Sequence, residues 1–123
     1  MSALLEVRLP LHTVSEANRR EHWSKRAKRV REQRGVVCMA FQSAAIDRAL
    51  PPLQRIAPIE VTLTRVAPRE LDDDNLRGAL KACRDGVADA LKIDDRDPSV
   101  RWAYAQERGA VREYAVAIRV ERV

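Results

Sequence analysis

The sequence predicts a small two-layer α/β domain, in which two main helices pack on one mixed β-sheet in the order β-α-β-α-β-β. Three observations carry that prediction. Alternation of apolar and polar residues recurs in short segments, as in Ile59-Glu-Val-Thr-Leu-Thr-Arg-Val66. Between them lie two longer stretches with apolar residues at helical spacing. Strand and helix patterns then alternate along 123 residues, enough for one domain with a single modest core, spanning 1–123.

Taken in order, Leu4-Leu-Glu-Val-Arg-Leu-Pro10 alternates from Leu5 and ends at proline, which reads as a short first strand. A long helix is expected from about Ser15 to Leu50, with a break near Gly35. Its second half places Val37, Ala40, Phe41, Ala44 and Ala45 toward the core, and Pro51-Pro52 stops it. Residues 59–66 form the clearest strand. A second helix follows over about residues 74–92, with Leu76, Leu80, Cys83, Val87 and Leu91 on its core face. Asp74, Gly78, Lys81, Asp85 and Lys92 fall on the opposite face, at about 100° per residue. Two strands close the chain near Ser99–Glu107 and Glu113–Arg122, joined at Arg108-Gly109-Ala110.

Composition narrows the function. A formal charge of +5 points toward polyanions. Cys38 and Cys83, with only His12 and His22, make neither a disulfide framework nor a zinc site, and they read as free thiols. No apolar stretch reaches the length of a membrane span and no signal peptide is recognised, so a cytoplasmic location is expected.

Against this basic background the acids are concentrated. Asp72-Asp73-Asp74-Asn75 is followed by Lys81, Asp85 and Asp94-Asp95. One carboxylate suffices to cap a helix, and three adjacent ones repel, so capping alone does not account for the run. In extended geometry Asp72 and Asp74 project to one side, as two ligands of one cation would. Oxygen donors without Cys or His suit Mg2+, with Mn2+ as the alternative. Lys81 and Asp85 also fit an ordinary i, i+4 surface pair, and Asp94-Asp95-Arg96-Asp97-Pro98 fits a solvent turn. A calcium loop of the EF-hand type fails, because its sixth and twelfth positions counted from Asp72 hold Arg77 and Cys83. With four glycines and no phosphate-cradling cluster, no Walker loop is present either.

A second charged segment precedes it. Arg19, Arg20, Lys25, Arg26, Lys28, Arg29, Arg31 and Arg34 stand against Glu16, Glu21 and Glu32, which is eight positive charges against three negative. The plain reading is a solvated helix face. Beside the acidic segment, binding of a DNA backbone becomes the better expectation. Trp23 within it reads as packed against the core, with stacking on an unpaired base as the functional alternative. Trp102 and Tyr104 are assigned to strand structure.

Leu71-Asp72-Asp73-Asp74-Asn75-Leu76, Leu80-Lys81, Asp85, Ala88-Asp89-Ala90-Leu91 and Asp94-Asp95 together resemble the RusA family of Holliday-junction resolvases. That family carries an Asp-x-Asp-Asn-Leu motif, a following lysine and a closing Asp-Asp, and Asn18 matches an asparagine near its first helix. The resemblance covers about residues 70–100. It implies a Mg2+-dependent, homodimeric endonuclease that acts on branched DNA and resolves four-way junctions by paired nicks, with no small-molecule cofactor. Asp72, Asp74 and Asp95 would hold metal and Lys81 would match the family's lysine, with Asp73, Asp85 and Asp94 as supporting acids. Asn18, Arg19, Arg20, Lys25, Arg26, Lys28 and Arg29 would contact DNA. Here five residues separate Asn75 from Lys81 where the best-known pattern has two, and Asp73 stands where an apolar residue is common. The rival expectation is a DNA-binding recombination or repair accessory protein of the same fold with little or no cleavage activity.

A straight helix from Asp74 to Lys92 spans roughly 27 Å. Its length predicts that Asp95 lies too far from Asp72 and Asp74 to share an ion within one chain. Antiparallel pairing of two such helices about a two-fold axis would bring the acids together.

Overall fold

The computed structural model describes residues 3–15 and 22–123. The predicted α/β architecture is present. Strands β1 (Leu5–Leu9), β2 (Ile59–Ala67), β3 (Val100–Arg108) and β4 (Ala115–Arg122) form one mixed sheet, and helices α1 (Trp23–Asp47) and α3 (Asp73–Leu91) pack on it. A single turn, α2 (Leu53–Ile56), follows the double proline and was not expected.

The sheet order is β1-β4-β2-β3. β2 and β3 run parallel, because α3 carries the chain back between them, whereas β4 is antiparallel to both β2 and β1. Register puts Leu5, Val61, Val120 and Trp102 across one face, with Leu63, Ile118 and Tyr104 beside them. On that face Leu5, Val61, Leu63, Ile118 and Val120 join Val37 and Phe41 of α1 and Leu76, Leu80, Cys83 and Val87 of α3 in one core. Fully burying each large apolar side chain is worth about 1.5–3 kcal/mol, while a helix cap is worth about 1 kcal/mol. Packing therefore holds α3 in place.

The helices meet at Gly86. A Cβ there would lie 2.6 Å from the Arg34 carbonyl oxygen and 2.9 Å from Val37 Cβ, so only glycine admits this approach.

Three expectations about the first helix change. It begins at Trp23, where the His22 side chain accepts from the Ser24 amide, and it runs through Gly35 without a break. Ser15 lies outside it and hydrogen-bonds Asn75 instead. Trp23 is 73% exposed, not packed on the core, because no residue from Trp23 to Glu32 is buried and that part of the helix offers no apolar stripe. Val37 and Phe41 face the core as expected. Among the described residues no helix is long and apolar enough to cross a membrane.

Candidate functional site

Asp72 is the N-cap of α3. Its Oδ1 accepts from the Asn75 amide at 2.9 Å, and its Oδ2 accepts from Asn75 Nδ2 at 3.0 Å. The helix starts at Asp73, so Asp73 and Asp74 occupy its first turn and complement the helix dipole. The extended geometry that would set Asp72 and Asp74 side by side is absent. Capping explains Asp72, and its two oxygens are already engaged.

Asp74, Gly78, Lys81 and Asp85 follow one another along one face of α3, as the helical period requires. Lys81 Nζ donates to Asp85 Oδ1 at 2.7 Å and to Asp95 Oδ2 at 2.9 Å. These bonds, the one to Asp85 foremost, raise the Lys81 pKa, so the ammonium stays charged. Lys81 in turn holds the Asp95 carboxyl below its ordinary value. Gly78 leaves open space between Asp74 and Lys81: a Cβ there would meet nothing within 4 Å.

Asp95 reaches Lys81 because the chain reverses at the end of α3. Lys92 takes a left-handed conformation (φ 59°, ψ 44°), and its amide bonds back to the Ala88 and Asp89 carbonyls. The helix length therefore does not measure the distance to Asp95, whose carboxylate lies level with the middle of α3. Helix length alone therefore does not force a site shared between subunits. Even so, among the described residues no three His, Cys, Asp or Glu side chains come together to hold an ion. Asp72, Asp74 and Asp95 are of the right chemistry for Mg2+, but within one chain they do not converge.

The Asp95 segment is held by residues that sequence reasoning assigned to structure or passed over. Arg84 Nη2 donates to the Asp95 carbonyl oxygen at 2.7 Å and Nη1 to Tyr104 Oη at 2.9 Å. Its Nε stands 3.5 Å from Asp95 Oδ2, an ion pair without hydrogen-bond geometry. Trp102 Nε1 donates to the same Asp95 carbonyl at 3.0 Å, and the Arg84 guanidinium lies 4.9 Å from the Trp102 ring centroid. Arg77 stands 5.6 Å over the Tyr104 ring. Together with Asp73 and Leu76 these side chains line a cleft of about 420 Å3 beside edge strand β3. The readable signals were the i, i+2 aromatics on one strand face and the i, i+7 arginines on one side of α3.

Asp94 and Asp97 serve the turn. Asp94 Oδ1 accepts from the Arg96 amide at 2.9 Å and Asp97 Oδ1 from the Ser99 amide at 2.8 Å. The solvent-turn expectation for this stretch accounts for both.

In the basic segment, Asn18, Arg19 and Arg20 lie outside the described residues. Lys25 and Lys28 are exposed, and Arg26 and Arg29 are half-buried. Lys28 lies 3.8 Å from Glu32, an exposed pair of little energetic weight. Arg34 belongs to the structure. Its Nε and Nη2 grip Asp89 at 2.5 and 2.7 Å, and Nη1 lies 4.0 Å from Asp85, which ties α1 to α3.

No family model matches the chain. A curated protein of Xylella fastidiosa (strain Temecula1 / ATCC 700964), described as an uncharacterized protein, is 37% identical over 82 residues. The match covers 64% of this chain and 52% of that protein, so it spans about half the relative's length.

Proposed function

We propose that this protein is a Mg2+-dependent, structure-selective DNA endonuclease that resolves four-way junctions by paired phosphodiester nicks, acting as a homodimer in the cytoplasm. The observation that carries the reading is the Lys81 ammonium, held by Asp85 and Asp95 on the same exposed face of α3 as Asp74. A permanently charged donor beside carboxylates, with a bare strip at Gly78 between Asp74 and Lys81, suits a phosphodiester approaching the helix.

Lys81 would stabilise negative charge developing on the phosphate. Arg84 and Trp102 would keep Asp95 in position, and the exposed Lys25, Lys28 and Arg31 would hold the flanking backbone without reading sequence. Bound Mg2+ would polarise the phosphate and lower the pKa of water. Asp72, Asp74 and Asp95 of one chain do not form a three-carboxylate group, so a second copy would complete each ion's shell.

A second reading has an observation in its favour. Asp95 is already neutralised by Lys81 and Asp72 is already spent on a cap, which suits a protein that binds branched DNA without cutting it. Cleavage of a labelled four-way junction in Mg2+ or EDTA, by wild type and Asp74→Asn, separates the two. Paired, metal-dependent nicks lost in the variant support the nuclease. Salt-sensitive binding without nicks supports the accessory protein.

A further inference from the structure

We propose that the cleft between residues 11–15 and the end of β2 is a phosphate-binding subsite, with Arg65 as its charged donor. Arg65 sits on the helix-facing side of β2, between Gln106 of β3 and Val116 of β4, and is 7% exposed. A buried guanidinium is normally matched by a carboxylate, since an unpaired buried charge is expensive. Here Nη1 donates to the Arg69 carbonyl oxygen at 2.7 Å, and Nε is buried with no hydrogen-bond partner among the described residues.

The cleft it faces has a volume of about 290 Å3, and its described lining includes His12, Thr13, Ser15, Arg65, Arg69 and Tyr114 but no Asp or Glu. Two arginines with no carboxylate among the described lining residues favour an anion. The His12 and Tyr114 rings stack at 3.6 Å and make one wall. The Nε and terminal N–H edge of a guanidinium matches two oxygens of one phosphate. Arg65 Nε lies just below the cleft surface, so binding would turn that edge outward. Burial lowers the Arg65 pKa from its ordinary value, and an anion in the cleft would oppose that shift.

The cleft also adjoins the acidic motif. Ser15 Oγ donates to Asn75 Oδ1 at 2.7 Å, and Asn75 Nδ2 donates to Asp72, the N-cap of α3. A phosphate on Arg65 would thus lie beside the start of α3, one side of the Asp74–Lys81 strip. The phosphate site stands by itself, and its assignment to a DNA strand rests on the nuclease reading.

The test follows the Arg65 Nε–Hε resonance, assigned through bonds, as inorganic phosphate replaces chloride at constant ionic strength. A saturable shift is expected, with a rise in Tm of about 5 °C when phosphate exceeds its dissociation constant about ten-fold. Arg65→Met, an apolar near-isostere for a buried position, should fold and lose that rise. Competition by short oligonucleotides with a 5′-phosphate or a 5′-hydroxyl then identifies the source. Equal competition means an internal phosphodiester, and preference for the former means a terminal phosphate. No saturable Nε–Hε shift in wild type, or a full phosphate response in Arg65→Met, overturns the proposal. If Arg65→Met does not fold, the wild-type resonance decides. Neither readout depends on nicking, so loss of the nuclease reading would leave the anion site standing.

Discussion

Lys81 Nζ and Asp95 Oδ2 lie 2.9 Å apart although they are fourteen positions apart in the chain. The contact joins the middle of α3 to the loop after it. It exists because Lys92 turns the chain back and Arg84 and Trp102 hold the returning segment.

Removing that hold should displace Asp95 without dismantling the core. Arg84→Ala takes away two hydrogen bonds and leaves the Asp95 carbonyl to Trp102 alone, with an expected loss of stability of about 1–3 kcal/mol. Trp102→Phe removes one N–H donor and should cost about 1 kcal/mol. Under the proposed function both variants should nick junctions more slowly, and urea melts run beside the nicking assay would give the two effects separately.

The acid limb of stability should respond to Lys81. The folded Asp95 pKa is depressed below its ordinary 3.8 by Lys81, as that of Asp89 is by Arg34. A depressed carboxyl contributes stability that is present above the unfolded pKa and lost as pH falls through the folded one. Lys81→Met should therefore raise the Asp95 midpoint and flatten the loss of stability below about pH 4. An NMR titration of the Asp95 carboxyl carbon would check this, and an unchanged midpoint would contradict the pairing.

At alkaline pH Cys83 takes over. Burial pushes its thiol up from 9.0 to about 12. The folded chain thus keeps the thiol protonated where the unfolded chain ionises, and stability should decline between about pH 9 and pH 12. Cys38 is half-buried and both thiols are free, so a thiol reagent should label Cys38 well before Cys83 in the native protein.

The two exposed helical glycines and the buried one should behave oppositely. Gly35→Ala and Gly78→Ala meet open space and should each stabilise by about 1 kcal/mol. Gly86→Ala collides with the Arg34 carbonyl and should destabilise by about 1–3 kcal/mol. Under the proposed function, Gly78→Leu would cover the strip between Asp74 and Lys81 and should slow nicking while leaving the fold intact. Thermal melts of the four variants give the signs directly.

If the first turns of α1 hold a nucleic-acid backbone, changing Lys25, Lys28 and Arg31 together to Ala should weaken binding uniformly across sequences. It should also reduce the slope of log K against log salt by roughly 3. Fluorescence anisotropy with a labelled junction at several salt concentrations measures both.

The sequence by itself determined the layers, the strand and helix order and the two core faces. Alternation in residues 59–66 and helical spacing at Leu76, Leu80, Cys83 and Val87 are local periodicities, and burying them leaves few arrangements. It also determined the inventory of carboxylates and cations. Only the tertiary structure decided how that inventory is used. Asp72 became a cap because α3 starts at Asp73, a boundary that periodicity does not locate. Asp95 came back to Lys81 because one left-handed residue reverses the chain. Arg65, a charged residue at an inward-facing position of β2, is buried with no carboxylate partner among the described residues because its neighbours across the sheet are Gln106 and Val116, not acids. Such pairings join residues from fourteen to sixty positions apart. They depend on where the chain turns and what packs beside it, and neither is written in a local pattern.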